Sequence, residues 1–189
     1  MKKNIKILIA FVAILAILIA ALIFILSSPK KNDSEKVEPD GSINLSKIFN
    51  NEINDIASIN IKNSSGEFTI SATFENDNII YNLEPSDPTK QPSQSIIKTS
   101  ISELINLIPS KKVEEKTDNL NKYGLDTNLN TIKVNFKDNS SKTLILGNEA
   151  PLALGNYLKI SEDDSIYLLA KANTEIFTNP KEFYMENKN

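Results

Sequence analysis

No cysteine, histidine or tryptophan occurs among the 189 residues, and all 21 basic side chains are lysine. Each absence removes a chemistry. Without cysteine or histidine there is no thiolate nucleophile, no imidazole base and no zinc site of the usual ligands. Any metal would have to be held by oxygen, which leaves calcium or magnesium. Without arginine there is no bidentate fork for guanine or phosphate. The lack of cysteine also means that the fold relies on no disulfide.

What is present begins with oil. From Ile7 to Leu26 no residue is charged or polar. Such a run of about 20 residues spans about 30 Å as a helix, the thickness of a bilayer's hydrocarbon core. A cleaved signal peptide would have a shorter apolar stretch ending in a small-x-small site. Here Ile23-Phe24-Ile25-Leu26-Ser27-Ser28-Pro29 has neither a cleavage pattern nor a lipobox cysteine, so the segment is expected to remain as an anchor. Lys2, Lys3 and Lys6 precede it, while Lys30 and Lys31 follow and are soon diluted by Asp33, Glu35 and Glu38. The positive-inside rule then puts residues 1–6 in the cytoplasm, the helix at 7–26 in the cell membrane, and everything beyond it outside, a single-pass topology. Past the first three lysines, 18 basic residues face 24 acidic ones, a net charge of −6. That balance argues against nucleic acid as a partner and leaves the bilayer itself as the first partner, through the N-terminal helix.

Residues 27–42 are lysine, acid, serine and proline with almost nothing apolar, and read as a flexible stalk. The folded domain is expected over 43–184, with 185–189 a polar, frayed tail. Period-two alternation at Ser58–Lys62, Glu67–Phe74 and Ile79–Leu83, broken by Asn63-Ser64-Ser65-Gly66 and Glu75-Asn76-Asp77-Asn78, predicts a three-strand meander. Pro85, Pro88 and Pro92 make the next stretch a stiff extended loop. Ile96, Ile97, Ile101, Leu104, Ile105 and Ile108 then recur at helical spacing, with Ser93 or Ser95 as N-cap and Pro109 as a stop. Thr131–Phe136 should pair with Lys142–Leu146, and Asn156–Ile160 with Ser165–Leu169, before a short helix at Lys171–Phe177. Strands joined by tight turns with helices set apart predict an α+β domain of antiparallel meanders and hairpins with one main amphipathic helix and a short C-terminal one.

The most informative short stretch is Tyr123-Gly124-Leu125-Asp126. Asp118 can cap a one-turn helix over Asn119–Lys122, with Tyr123 as its C-cap. Gly124 then takes the left-handed conformation beyond the cap, and Leu125 packs back on Leu120 as in a Schellman motif. Asp126 is expected to accept backbone N–H groups in an Asx turn. These four residues have a structural account; Asp126 as a metal ligand or base has no converging acid nearby in sequence.

Asp118-Asn119-Leu120-Asn121-Lys122-Tyr123-Gly124-Leu125-Asp126 also resembles the "dL..YGLd.P" signature of the bacterial domain-of-unknown-function 4340 family. Thr131–Phe136 resembles the strand that follows it. Thr143-Leu144-Ile145-Leu146-Gly147-Asn148-Glu149-Ala150-Pro151 resembles the family's "tl.iG...p" hairpin. Asn156-Tyr157-Leu158 and Ser165–Leu169 resemble two later strands, and Tyr81–Pro85 stands where a "W.l..P" pattern is usual. The resemblance runs from about Asp55 to Phe183. Departures are Tyr81 for the tryptophan, Asn128 for the proline and Asn139 for a hairpin glycine, the last a mild change because asparagine tolerates left-handed backbone. The resemblance implies an N-terminal transmembrane helix, an integral-membrane partner of the ABC-type permease kind and an accessory role. It implies no catalytic residue and no cofactor.

Other candidates are weaker. Glu162-Asp163-Asp164 lacks the spacing of a calcium loop and reads as a solvated hairpin tip. Lys111-Lys112 and Glu114-Glu115 read as a charged sheet edge. Ser140-Ser141-Lys142 reads as a turn rather than a serine–lysine nucleophile. No two acids stand out as a glycoside-hydrolysing pair, although two in one cleft would revive that reading. The sequence therefore points to a membrane-anchored, non-catalytic extracytoplasmic accessory protein of an ABC-type transporter or other envelope complex. The alternatives are a stalked module that binds a ligand or wall polymer, expected to use Phe74, Tyr81, Tyr157 and Tyr167, and, last, an envelope hydrolase.

Overall fold

The computed structural model describes residues 36–37 and 43–188, apart from 77 and 128. The expected anchor at 7–26 lies outside the described residues, and so does most of the expected stalk. Among the described residues no helix is long and apolar enough to cross a membrane.

The strands are β1 (Lys36–Val37), β2 (Ile43–Asn44), β3 (Ile56–Asn63), β4 (Gly66–Glu75), β5 (Asn78–Glu84), β6 (Lys90–Pro92), β7 (Lys111–Glu114), β8 (Asn130–Phe136), β9 (Ser141–Glu149), β10 (Gly155–Ile160), β11 (Ile166–Ala170) and β12 (Met185–Asn187). The α-helices are α1 (Gln94–Ile105) and α2 (Glu175–Thr178), with short 3-10 turns between elements. Eight strands form one antiparallel sheet in the order β5-β4-β3-β8-β9-β10-β11-β7. This is an α+β fold. The two meanders expected from alternation are joined edge to edge by the β3–β8 pairing, with Ile59 opposite Val134 and Ile61 opposite Ile132.

The alternation explains which face is buried. Ile59, Ile61, Phe68, Ile70, Leu83, Ile132, Val134, Leu144 and Leu158 all point into a single core. Ile97, Ile101 and Leu104 of α1 and Phe177 of α2 close that face. On the opposite face the middle strands are polar and knit by side chains. Asn60 Nδ2 donates to Thr69 Oγ1 at 3.1 Å, and Asn135 Nδ2 to Ser58 Oγ at 3.0 Å. Toward β10 and β11 this second face is covered by a smaller cluster of Tyr123, Leu125 and Ile166, with Leu120, Ile145 and Tyr157 around it.

Three expectations shift. α1 stops at Ile105, so Leu107 is buried and Ile108 is left 46 % exposed. Ser93 is the N-cap but makes no side-chain capping bond. Instead its amide donates to the Tyr184 carbonyl at 2.9 Å, tying the start of the helix to the C-terminal segment. Met185–Asn187, expected to fray, pairs with Lys90–Pro92 as β12 against β6, because the proline-rich stretch presents extended backbone beside it. Gln94 also reaches back to β5: its Oε1 accepts from the Tyr81 amide at 2.8 Å and its Nε2 donates to the Tyr81 carbonyl at 2.9 Å.

Candidate functional site

Three places on the domain carry more than packing. The first is the corner at Tyr123-Gly124-Leu125-Asp126. Leu120–Tyr123 form a 3-10 turn capped by Asn119, whose side chain accepts from the Lys122 amide, rather than by Asp118 one residue earlier. Gly124 sits at φ 66, ψ 30, in the left-handed region. Its amide donates to the Asn121 carbonyl at 3.0 Å, and the Leu125 amide donates to the Leu120 carbonyl at 3.1 Å, the paired bonds of a Schellman cap. Asp126 is exposed, and its Oδ2 accepts from Asn121 Nδ2 at 3.0 Å; the Asx turn expected of it would run to Asn128, which lies outside the described residues.

The corner docks on β9 through a second glycine. A Cβ on Gly147 would lie 2.2 Å from the Tyr123 carbonyl oxygen and 3.0 Å from Leu125 Cδ2. The two motif pieces, 24 positions apart in numbering when counted from Tyr123 to Gly147, are thus one unit of packing. Tyr123 is 2 % exposed; its ring meets Tyr157 edge-on at 4.7 Å. Its hydroxyl donates to Glu114 Oε2 and accepts from Lys122 Nζ at 2.9 Å. That bond to the Tyr123 hydroxyl, helped by Glu114, raises the Lys122 pKa above the ordinary lysine value. The Tyr123 hydroxyl is thus bonded on both sides, and the corner ties the 3-10 turn to β9.

The second place is the β9–β10 tip. The Ala150 amide donates to the Gly155 carbonyl at 2.7 Å, and Asn156 Nδ2 donates to the Gly147 carbonyl at 3.0 Å. Lys171 pairs with Glu149 at 3.1 Å across its base. On this fixed base Leu152 has φ 66 and is 90 % exposed, Ala153 has φ 55, and Leu154 is 61 % exposed. A left-handed conformation costs a residue with a Cβ about 1–2 kcal/mol. The register of Asn130 with Leu146 places Leu129, 63 % exposed, at the same end of the sheet.

The third is a cleft of about 200 Å³ between α1 and the C-terminal segment, with Ser100, Glu103, Asn173, Glu175, Asn179 and Phe183 on its walls. Next to it Tyr184 is wholly buried, and its hydroxyl has no well-formed hydrogen bond, although Ser100 and Asn179 are close enough to bond it and act against the rise in its pKa. Glu103 is also near enough to act on it. Burial pushes the Tyr184 hydroxyl up to about 12.

The structure does not bring Phe74, Tyr81, Tyr157 and Tyr167 together. Phe74 is exposed under Lys137 Nζ at 3.5 Å, Tyr81 is in the main core, and Tyr157 packs on Tyr123. Tyr167 donates to Asp163 Oδ2 at 2.6 Å. Burial of Asp163 works against its ionisation, but the bonds from Tyr167 and Ser165 prevail and hold its carboxyl below the usual value. Among the described residues no three acids are grouped as metal ligands. The cleft residues escaped sequence reasoning because α1 and the 172–184 segment meet only in the fold. A signal for the tip was present: Pro151-Leu152-Ala153-Leu154 is apolar where a hairpin tip is ordinarily polar.

An antiparallel α+β module with a Schellman corner docked on its sheet is the class that these features define. Residues 85–187 match the family model described as Domain of unknown function (DUF4340), and the chain belongs to that family. The match starts at Pro85, so β3–β5 complete the sheet from outside it. No curated protein matches the chain, and no solved structure does either.

Proposed function

We propose that this protein is a membrane-anchored, extracytoplasmic accessory protein that acts by docking on an integral-membrane partner, an ABC-type transporter permease or another envelope complex, and not by catalysis. The observation that carries this reading is the β9–β10 tip. Leu152 is 90 % exposed at positive φ on a braced hairpin. Two unfavourable features held rigidly in one place suit a contact that repays both, and burying one leucine side chain is worth about 1.5–3 kcal/mol. The apolar run from Ile7 to Leu26 supports the anchor.

The chain has no cysteine, so Leu152→Cys introduces a unique thiol for cross-linking in intact membranes. Recovery of one integral-membrane protein from that position, and not from a cysteine placed at the solvated tip residue Glu162, is the expected result. Cross-linking at neither position, or equally at both, would sink the reading.

The cleft supports a second reading, a stalked ligand-binding module. It also puts Glu103 and Glu175 in one cleft, the arrangement that would revive a hydrolase. Both are exposed, without the burial that makes a carboxyl a general acid, so binding is the better supported of the two.

A further inference from the structure

We infer that Leu152, Leu154 and Leu129 act together as one knob that seats in an apolar, uncharged pocket of a protein partner, so that recognition at this end of the sheet runs without charge. The inference rests on the docking reading above and specifies the surface that the tip meets.

Four observations converge. First, the three leucines are exposed. The registers of Asn130 with Leu146 and of Asn156 with Glu149 put them at the end of the sheet where β9 gives way to β10. One exposed leucine is ordinary on a protein surface, whereas a group of them at one end of a sheet marks a contact. Second, no charge accompanies them. Residues 150–158 and 127–132 contain none, and at the base of the tip Lys171 and Glu149 cancel each other at 3.1 Å. The chain past Lys6 carries a net charge of −6, so this neutral end is set apart from the rest. A charged partner surface would lose its water here and gain no counter-charge.

Third, the tip has its shape before any contact. Gly155 has φ 146, and a Cβ there would lie 2.0 Å from the Leu169 carbonyl oxygen, so the returning strand lies tight on β11. The bond from the Ala150 amide to the Gly155 carbonyl closes the loop at 2.7 Å. Leu152 and Ala153, both at positive φ, are therefore carried on a fixed base, and little ordering is left for binding. Fourth, the composition suits a protein pocket rather than a lipid surface. Interfacial anchors combine apolar residues with Trp or Tyr at headgroup depth and with Lys or Arg for anionic lipids. Residues 150–155 have neither, and Lys171 at the base is engaged by Glu149. Protein interfaces, by contrast, are built around an aliphatic or aromatic anchor in a pocket.

The test places one cysteine at Ala153 in the otherwise cysteine-free full chain, labels it with benzophenone maleimide and illuminates intact membranes of the cells that express it. An adduct with one integral-membrane protein is expected, its yield unchanged within about twofold between about 0.05 M and about 1 M salt, a range over which contacts between exposed charges are screened. Leu152→Ser should lower that yield about tenfold or more, and Leu129→Ser and Leu154→Ser about threefold or more each, the worth of a leucine taken out of water. All three positions are exposed, so the melting temperature should not move. An adduct that fades with salt, or that ignores the leucine changes, would overturn the inference and leave docking at the tip in place. Adducts with lipid alone, which the same label in protein-free vesicles of phosphatidylethanolamine and phosphatidylglycerol would reproduce, would overturn the docking reading and this inference together, and so would no adduct at all.

Discussion

The Gly124 corner and the α1 cleft each contain a buried tyrosine, and the two tyrosines are in opposite situations. Tyr123 has its hydroxyl bonded to Glu114 and Lys122, whereas the Tyr184 hydroxyl has Ser100 and Asn179 close by but no well-formed bond. The corner is made by local turn chemistry and one close approach to β9. The cleft is made by segments that are distant in sequence and leave a polar atom unmet. A polar group bonded on both sides holds its surroundings in place; one without a well-formed bond, as at Tyr184 and also at Tyr81 in the main core, costs stability instead.

The strongest way to break this contrast is at Gly147. Its Cβ would collide with the backbone carbonyl of Tyr123, which cannot swing aside, so Gly147→Ala should cost about 2–3 kcal/mol by denaturant unfolding. Gly124→Ala should cost about 1 kcal/mol or more, through positive φ and because its Cβ would lie 2.3 Å from Asn148 Oδ1, a side chain that would have to move. A wild-type midpoint in both would mean that the corner is not docked as described.

Alkaline pH sharpens the comparison on the other side. Tyr184 stays protonated in the fold up to about 12, while in the unfolded chain it ionises near its ordinary value of 10. Between those values the unfolded state binds fewer protons than the fold. Stability contributed by this group is therefore complete below pH 10 and falls by about 1.4 kcal/mol per pH unit as pH rises toward 12. Burial also raises Tyr81 and Tyr167, which adds to the fall in the same direction. Tyr184→Phe should make the decline shallower; an unchanged slope would place the hydroxyl in water.

At neutral pH the same substitution should act with different signs at the two sites. Tyr123→Phe should cost about 1 kcal/mol, because two bonds are lost and Glu114 loses a donor. Tyr184→Phe should cost nothing, or gain up to about 1 kcal/mol. Equal losses would erase the distinction between them. The smallest effect is expected for Asp126→Ala, within about 0.5 kcal/mol, since Asp126 is exposed and among the described residues its side chain holds Asn121.

The two regions also differ in how far they could be read before folding. The corner needed only local information. A short helical turn, a glycine at the left-handed position and a leucine beyond it name the Schellman bonds, and the structure differs in that the turn runs one residue later, Leu120–Tyr123 for Asn119–Lys122, with Asn119 for Asp118 as its N-cap. The strands were legible for the same reason, since alternation at Ser58–Lys62 or Thr131–Phe136 fixes which face is buried. Asn139 does adopt φ 68, as its place in a hairpin turn required. What stayed hidden depends on contacts across the chain: β12 against β6, Ser93 on Tyr184, and Glu103 and Glu175 on one cleft. Nothing local in Met185-Glu186-Asn187 announces a strand, because its partner at Lys90–Pro92 supplies the reason for it.

The clasp of Gln94 on β5 has a consequence for how copies of this protein behave when crowded. An eight-stranded sheet with two free borders invites end-to-end growth into fibrils. One border is stoppered at Tyr81, where both outward backbone groups are already taken by a side-chain amide. The other is β7, four residues long and headed by Lys111 and Lys112. Both borders are thus blunted against pairing with the edge of another copy, one by a side-chain amide and the other by shortness and charge.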